Sequence, residues 1–338
     1  MRDFEKLVKT VNKYTKALFL EKDETKILLS EAGARILGIT VDNSPNILWI
    51  NPSLEEVLKK EEWNIGGLRV WVSPERNFFY KKPESFEEWF CPKGLDPNNY
   101  KVLETSKYGV SFLGEIEAYD YMCGTWLKGF IRRDIRILEG DEVAKLVVRE
   151  NLLAKYMGNV NLWALAQVKP GNHGTVIVPV KRNVKPLHYF GPIPSERLIV
   201  KEDHVAFKID SQEIYKLAIR PEDLPLEKGV IIAFITELEK NVWGLIALRS
   251  WDLPRSQEEC LDVPKADPEG ERGVVQSYNS SPEQGFGEIE LQFKPAVEVS
   301  YYKISTIEYE VITYYGSKRE VLTKLREITG VKQPHIFY

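Results

Sequence analysis

The chain has 338 residues, 43% of them hydrophobic and 28% charged, with a formal net charge of −4. That length suits one large domain or two ordinary ones, and the apolar fraction supplies a sizeable core. Lysine and arginine are interspersed with aspartate and glutamate throughout, so no half of the chain reads as a polyanion-binding surface and nucleic acid is not expected as a partner.

Cys91, Cys123 and Cys260 lie far apart and form no CxxC pair, so neither structural zinc nor a disulfide framework is signalled. No HxH or HxxxH spacing suggests a metal site, and no GxGxxG or P-loop opens a helix, so no cofactor is expected. The start, MRDFEKLVKTVNKYTK, is charged throughout and lacks the apolar core of a signal peptide. No stretch approaches the ~18 apolar residues of a membrane span, and a sparse, odd cysteine count suits a reducing compartment. Cytoplasm is therefore the expected location. Abundant Lys, Glu, Ile, Val and Tyr beside four His match a thermophilic composition.

In chain order, residues 1–16 read as an amphipathic helix, with Phe4, Leu7, Val8, Val11 and Tyr14 at helical spacing. A second helix is expected to start at Ser53, with Glu56 completing a capping box. Between these and a C-terminal helix at 317–330, nearly everything reads as strand. The expected strands are 26–29, 36–41, 46–50, 68–72, 109–119, 128–138, 144–151 and 161–168, then 175–180, 204–209, 214–219, 229–239, 242–251, 287–299 and 306–314. β-Branched and aromatic residues dominate these runs, and Gly, Pro, Asn or Asp clusters separate them. Residues 251–285 (WDLPRSQEECLDVPKADPEGERGVVQSYNSSPEQG) read as a long loop, either a mobile excursion or a lid. The C-terminal helix has the capping pair Ser317 and Glu320, one face of Val321, Leu325 and Ile328, and Gly330 to end it. The tyrosine-rich run 301–315 leaves rings on one face, to be covered by that helix or left as an interaction surface. The pattern predicts an all-β fold of large packed antiparallel sheets in a single domain, with short helices at both ends.

Four segments together resemble the galactose-mutarotase-like (aldose 1-epimerase-like) superfamily, in an uncharacterised branch. They are Gly33–Pro52 (GARILGITVDNSPNILWINP), Gly66–Glu75 (GGLRVWVSPE), Leu162–Val180 (LWALAQVKPGNHGTVIVPV) and Gly287–Pro295 (GEIELQFKP). The resemblance implies a β-supersandwich over residues 26–315 that binds a small carbohydrate. It also implies a carboxylate base and a proton donor that open and close the sugar ring. Glu290 matches the base position, followed by Gln292. By alternation Glu288, Glu290, Gln292 and Lys294 share one strand face, which is a cleft lining or solvent. Arg69 matches a sugar-contacting arginine, or else forms a surface ion pair with Glu75 or another acid; Glu75 and Gln292 are also candidates to contact the substrate. Trp71, Trp163 and Trp126 are candidates to stack on a sugar or to fill the core, and Gln167 is a candidate to orient the substrate. The usual mutarotase histidines are absent. His173, in the turn at 170–174, is the replacement candidate for the catalytic acid, with Tyr119 as an alternative. Two functions stay open: a sugar epimerase or lyase using Glu290, and a non-catalytic sugar-binding or interaction protein that kept the fold.

Overall fold

A computed structural model describes residues 2–98, 100–138, 143–171 and 173–338. Among the described residues two large antiparallel sheets dominate, one of nine strands and one of eleven, beside a small two-stranded ribbon formed by Tyr80–Lys82 and Glu87–Trp89. The fold is all-β, a two-sheet sandwich with short terminal helices.

The nine-stranded sheet runs Ala17–Lys22, Thr25–Ser30, Arg35–Val41, Leu68–Ser73, Asn161–Val168, Gly287–Pro295, Val275–Asn279, Tyr215–Ile219 and Leu187–His188. Its central strand Gly287–Pro295 buries Ile289, Leu291 and Phe293 completely. That side faces the second sheet, where the Phe293 ring lies 5.5 Å from the ring of Tyr309. Tyr309 belongs to strand Tyr302–Gly316 of the eleven-stranded sheet. One hydrophobic cluster includes residues of both sheets, so burial of the two apolar faces against each other holds the sandwich together.

The helices flank this core. Arg2–Tyr14 and Leu54–Lys59 pack through Val11, Leu54, Val57 and Leu58. Lys318–Thr329 begins at Ser317 with both capping-box hydrogen bonds formed and ends at Gly330 in the left-handed region, as expected. It seats Val321 and Leu325 against Ile312 and its neighbours, while Tyr301 and Tyr302 stay exposed. The capping box expected at Ser53 does not form: the Ser53 hydroxyl caps nothing, and its backbone N–H donates to Asn51 Oδ1 at 2.8 Å. No helix among the described residues is long and apolar enough to cross a membrane.

The strand expectations fail in four ways. Residues 46–50 make only isolated bridges, Leu48 to Val168 and Ile50 to Gly66. The run 287–299 splits into Gly287–Pro295 and Val297–Val299. Polar or short strands such as Ala17–Lys22, Lys101–Ser106 and Leu198–Val200 give no alternation to read. The last difference matters most: residues 251–285 are not one excursion. Strand Val275–Asn279 pairs on both sides within the sheet, and Cys260, Asp262, Val263 and Val274 are buried.

Candidate functional site

Five adjacent strands build a polar face on the nine-stranded sheet, opposite the face that meets its partner sheet. The register fixes which side chains share it. Arg69 stands opposite Leu165, Leu165 opposite Glu290, and Glu290 opposite Gln276. One row along, Gln167, Glu288, Tyr278 and Lys216 line up across four strands. On the other side lie Trp71, Trp163 and Gln292. Because successive residues alternate faces, a one-residue slip would bury none of these together.

The Arg69 strand is set by Gly66 and Gly67, both at positive φ (105° and 76°). A Cβ at Gly66 would stand 2.4 Å from the Trp49 carbonyl oxygen, and one at Gly67 2.3 Å from that of Ile36. Only glycine meets both the dihedrals and the close backbone approach.

The charges on this face form two linked clusters. Arg69 is almost wholly buried and donates from Nη2 to Glu288 Oε1 at 2.7 Å. Its guanidinium lies 4.1 Å from the centre of the Trp71 ring. Asp96 pairs with Arg35, accepts the Trp71 indole N–H at 2.7 Å, and lies 3.9 Å from Arg69 Nε. The acid that Arg69 pairs with is thus Glu288 and not Glu75, and the pair is buried instead of on the surface. In the second cluster Lys216 Nζ is 3.1 Å from Glu290 and 3.7 Å from Glu75. Glu290 Oε2 also accepts the Trp163 indole N–H at 3.0 Å. Glu75 accepts the Trp89 indole N–H at 3.0 Å, and its backbone N–H donates to Asp262 at 3.1 Å.

Burial dominates the electrostatics. It pushes the Glu290 carboxyl up to about 7 against the opposing pull of Lys216, and it raises Glu75 as well. Burial alone would lower Lys216, but Glu290 and Glu75 outweigh it and raise its pKa. The phenols of Tyr80 and Tyr278 are raised by burial. The site therefore carries carboxyls shifted toward neutrality beside a firmly charged ammonium.

Above this floor opens a cavity of about 300 Å3, at the lower end of the ~300–1,000 Å3 typical of small-molecule sites. Trp63, Trp71, Trp89 and Trp163 line it with Tyr80, Tyr278, Phe190 and Phe286, and Arg69, Lys216, Lys265, Glu75 and Glu288 supply the polar groups. Among the described residues, several buried polar atoms on this sheet face make no hydrogen bond: Arg69 Nη1, Asp96 Oδ1, Glu290 Oε1, Gln167 Oε1, Gln276 Oε1 and Gln292 Nε2. Of these residues Arg69 lines the cavity, and Arg133 and Glu150 in the eleven-stranded sheet carry such atoms too, so they mark buried charge and do not by themselves mark a site. A larger cavity of about 650 Å3 lies beneath helix Arg2–Tyr14. None of its lining residues carries a buried, unpartnered polar atom, so chemistry singles out the smaller one.

Of the residues expected from sequence, Arg69, Trp71, Glu75 and Trp163 meet at this cavity. Glu290 lies behind its lining, covered by Trp163 and Lys216. Gln167 and Gln292 share the face but bond to Asn64 and Asn161. His173 is elsewhere: its ring stacks on Trp243 at 5.3 Å, and Nδ1 lies 3.1 Å from the Phe337 carbonyl oxygen. Tyr119 and Trp126 pack on each other in the eleven-stranded sheet. Neither His173 nor Tyr119 lines this cavity. Sequence reasoning missed Lys216, Asp96, Asp262, Trp63, Trp89, Lys265 and Tyr278.

A family of unknown function, DUF6786, has a model that matches residues 2–236. The chain belongs to that family. No curated protein matches it in sequence. Solved structures give the fold. A galactose mutarotase-like protein from Lactobacillus casei aligns over 88% of this chain and 100% of its own at 12% identity and a TM-score of 0.51. A proposed aldose 1-epimerase from Escherichia coli K12 aligns over 89% of this chain and 99% of its own, at 9% identity and a TM-score of 0.54. The Slr1438 protein from Synechocystis covers 90% and 96%, at 10% identity and 0.53. The sandwich is the galactose-mutarotase-like fold.

Proposed function

We propose that this protein binds a sugar in the cavity over Arg69, Trp71, Trp163 and Lys216. The observation that carries this is a wall of four tryptophans above a floor of buried, paired charges, where Arg69 Nη1 makes no hydrogen bond among the described residues. A pyranose has an apolar C–H face that stacks on an indole and a rim of vicinal hydroxyls. Arg69 Nη1 and the carboxylates of Glu75 and Glu288 supply the matching donors and acceptors. Two structural neighbours carry mutarotase and epimerase names, which agrees with the reading.

A second reading, epimerase-like proton transfer on the bound sugar, is favoured by the raised carboxyls of Glu75 and Glu290. General acid–base groups work best with pKa values near the operating pH. Glu75 faces the cavity and would be the group in contact with the sugar. Glu290 would act through Lys216.

Thermal shift with a panel of aldoses, uronic acids and sugar phosphates tests the first reading, since a ligand at ~100 times its Kd adds ~2.7 kcal/mol to stability. Wild type should gain a few degrees with at least one sugar. Arg69→Ala, and separately Trp89→Ala at the half-exposed rim, should abolish or weaken the gain. A gain that both variants retain would place the binding elsewhere. Polarimetry of a fresh α-anomer, wild type against Glu75→Gln, tests the second.

A further inference from the structure

Among the described residues, one lining cation of the proposed sugar site has no carboxylate partner. Arg69 is held by Glu288, and Lys216 by Glu290 and Glu75. Lys265 has no carboxylate within ion-pair distance among the described residues. Its ammonium lies 3.4 Å from the Phe86 carbonyl oxygen and 5.7 Å from the centre of the Tyr80 ring. Lys265 is exposed while still lining the cavity, which puts it at the lip.

The floor has the opposite character. Glu75, Glu288, Glu290, Asp96 and Asp262 gather there against Arg35, Arg69 and Lys216. An anionic group pushed to that depth would lose its hydration and find every cation already held, Arg69 by Glu288 and Lys216 by Glu290 and Glu75. At the lip it would stay in water and find one unpaired ammonium. The floor instead suits hydroxyls, which both accept from Arg69 Nη1 and donate to carboxylates.

Resting on the sugar-site reading, we propose that the ligand is a monoanionic sugar acid of the hexuronate type. Its neutral ring enters against the tryptophans and Arg69, and its carboxylate stays at the lip against Lys265. One lysine balances one negative charge. A phosphate ester would bring a second charge toward an acidic floor with nothing left to meet it.

Calorimetric titration tests this with wild type and Lys265→Gln, using glucuronate, galacturonate, the matching neutral aldoses and a hexose 6-phosphate. Lys265 is exposed, so its replacement leaves the fold intact. At low ionic strength the wild type should bind the preferred uronate about two- to fivefold more tightly than its neutral counterpart, the effect of an exposed ion pair. Lys265→Gln should remove that preference, so that uronate and matching aldose bind that variant equally, and about 0.5 M salt should remove it from wild type. The inference is overturned if uronate binds no better than aldose, if the preference survives in Lys265→Gln, or if the hexose phosphate binds more tightly than the uronate. In those cases the sugar site itself stands. If no sugar of the panel binds, the sugar reading fails and this inference falls with it.

Discussion

Each sheet of the sandwich buries an Arg–Glu group, and the two groups meet opposite fates. In the eleven-stranded sheet Arg133 and Glu150 face each other across neighbouring strands, with Arg133 Nε 3.2 Å from Glu150 Oε1 and both side chains wholly buried. Tyr309 closes the group, accepting from Arg133 Nη2 at 3.0 Å and donating to Glu150 at 3.2 Å. In the nine-stranded sheet Arg69, Glu288, Lys216 and Glu290 are as deeply placed, but aromatic side chains beside them part to leave a cavity. Burial raises a carboxyl to about 7 in both places. A perturbed carboxyl alone therefore does not identify a site. What distinguishes the second group is access: an aromatic wall, a lip and a space that a ligand can enter, since both groups keep buried polar atoms without a hydrogen bond.

The sealed group should show the largest effect on stability. Arg133→Met strands Glu150 in the core and should cost ~3–5 kcal/mol in urea unfolding, whereas the double variant Arg133→Met/Glu150→Leu should recover most of it. A double variant as unstable as the single one would mean that the pair does more than neutralise itself.

The pH dependence comes next. A carboxyl whose folded pKa lies near 7, above its ordinary 4.5, contributes stability in full below about 4.5. That contribution declines as pH rises and is gone above about 7. Stability should fall between pH 5 and 8 by on the order of 2–3 kcal/mol for each of these groups, and Glu150→Gln should flatten its share. The comparison sharpens when sugar is added. Ligand should alter the share of Glu290 and leave that of Glu150 unchanged, as read by unfolding curves with and without sugar.

Trp89→Ala reverses the pattern of Arg133→Met. Trp89 is 38% exposed on the two-stranded ribbon, so its loss should change stability by under ~1 kcal/mol while weakening sugar affinity about tenfold. The smallest effect lies outside both groups: Ser317→Ala should cost ~1 kcal/mol through the lost helix cap, without touching binding.

The strands were largely legible because β-branched and aromatic runs are separated by Gly, Pro, Asn and Asp clusters; alternating burial adds to this only in strands such as Thr125–Ile137, Ala144–Lys155 and Tyr302–Gly316, whereas Leu68–Ser73 and Asn161–Val168 are buried throughout. The C-terminal helix was legible because Ser317, Glu320 and Gly330 are local signals. At the site, Arg69, Trp71 and Trp163 could be singled out, and the polar face of Glu288, Glu290 and Gln292 followed from alternation. Whether that face met solvent or a cleft could not be read from one strand, because the answer depends on what covers it. The covering residues come from the ribbon and from 251–285, whose Pro, Gly and Ser content hid the strand Val275–Asn279. Lys216 did leave a trace, a lone lysine inside the apolar run Tyr215–Ile219. Asp96 left none, since its partners Arg35, Arg69 and Trp71 are brought to it only by the fold. His173 misled because it neighbours the Trp163 strand in sequence but turns toward the C-terminal tail.

The most direct test of the central claim is a crystal structure of the protein soaked with the sugar that gives the largest thermal shift. The account predicts a pyranose ring stacked on a cavity tryptophan, with a hydroxyl within hydrogen-bond distance of Arg69 Nη1. Sugar bound only in the larger cavity beneath helix Arg2–Tyr14, with nothing over Arg69, would contradict it.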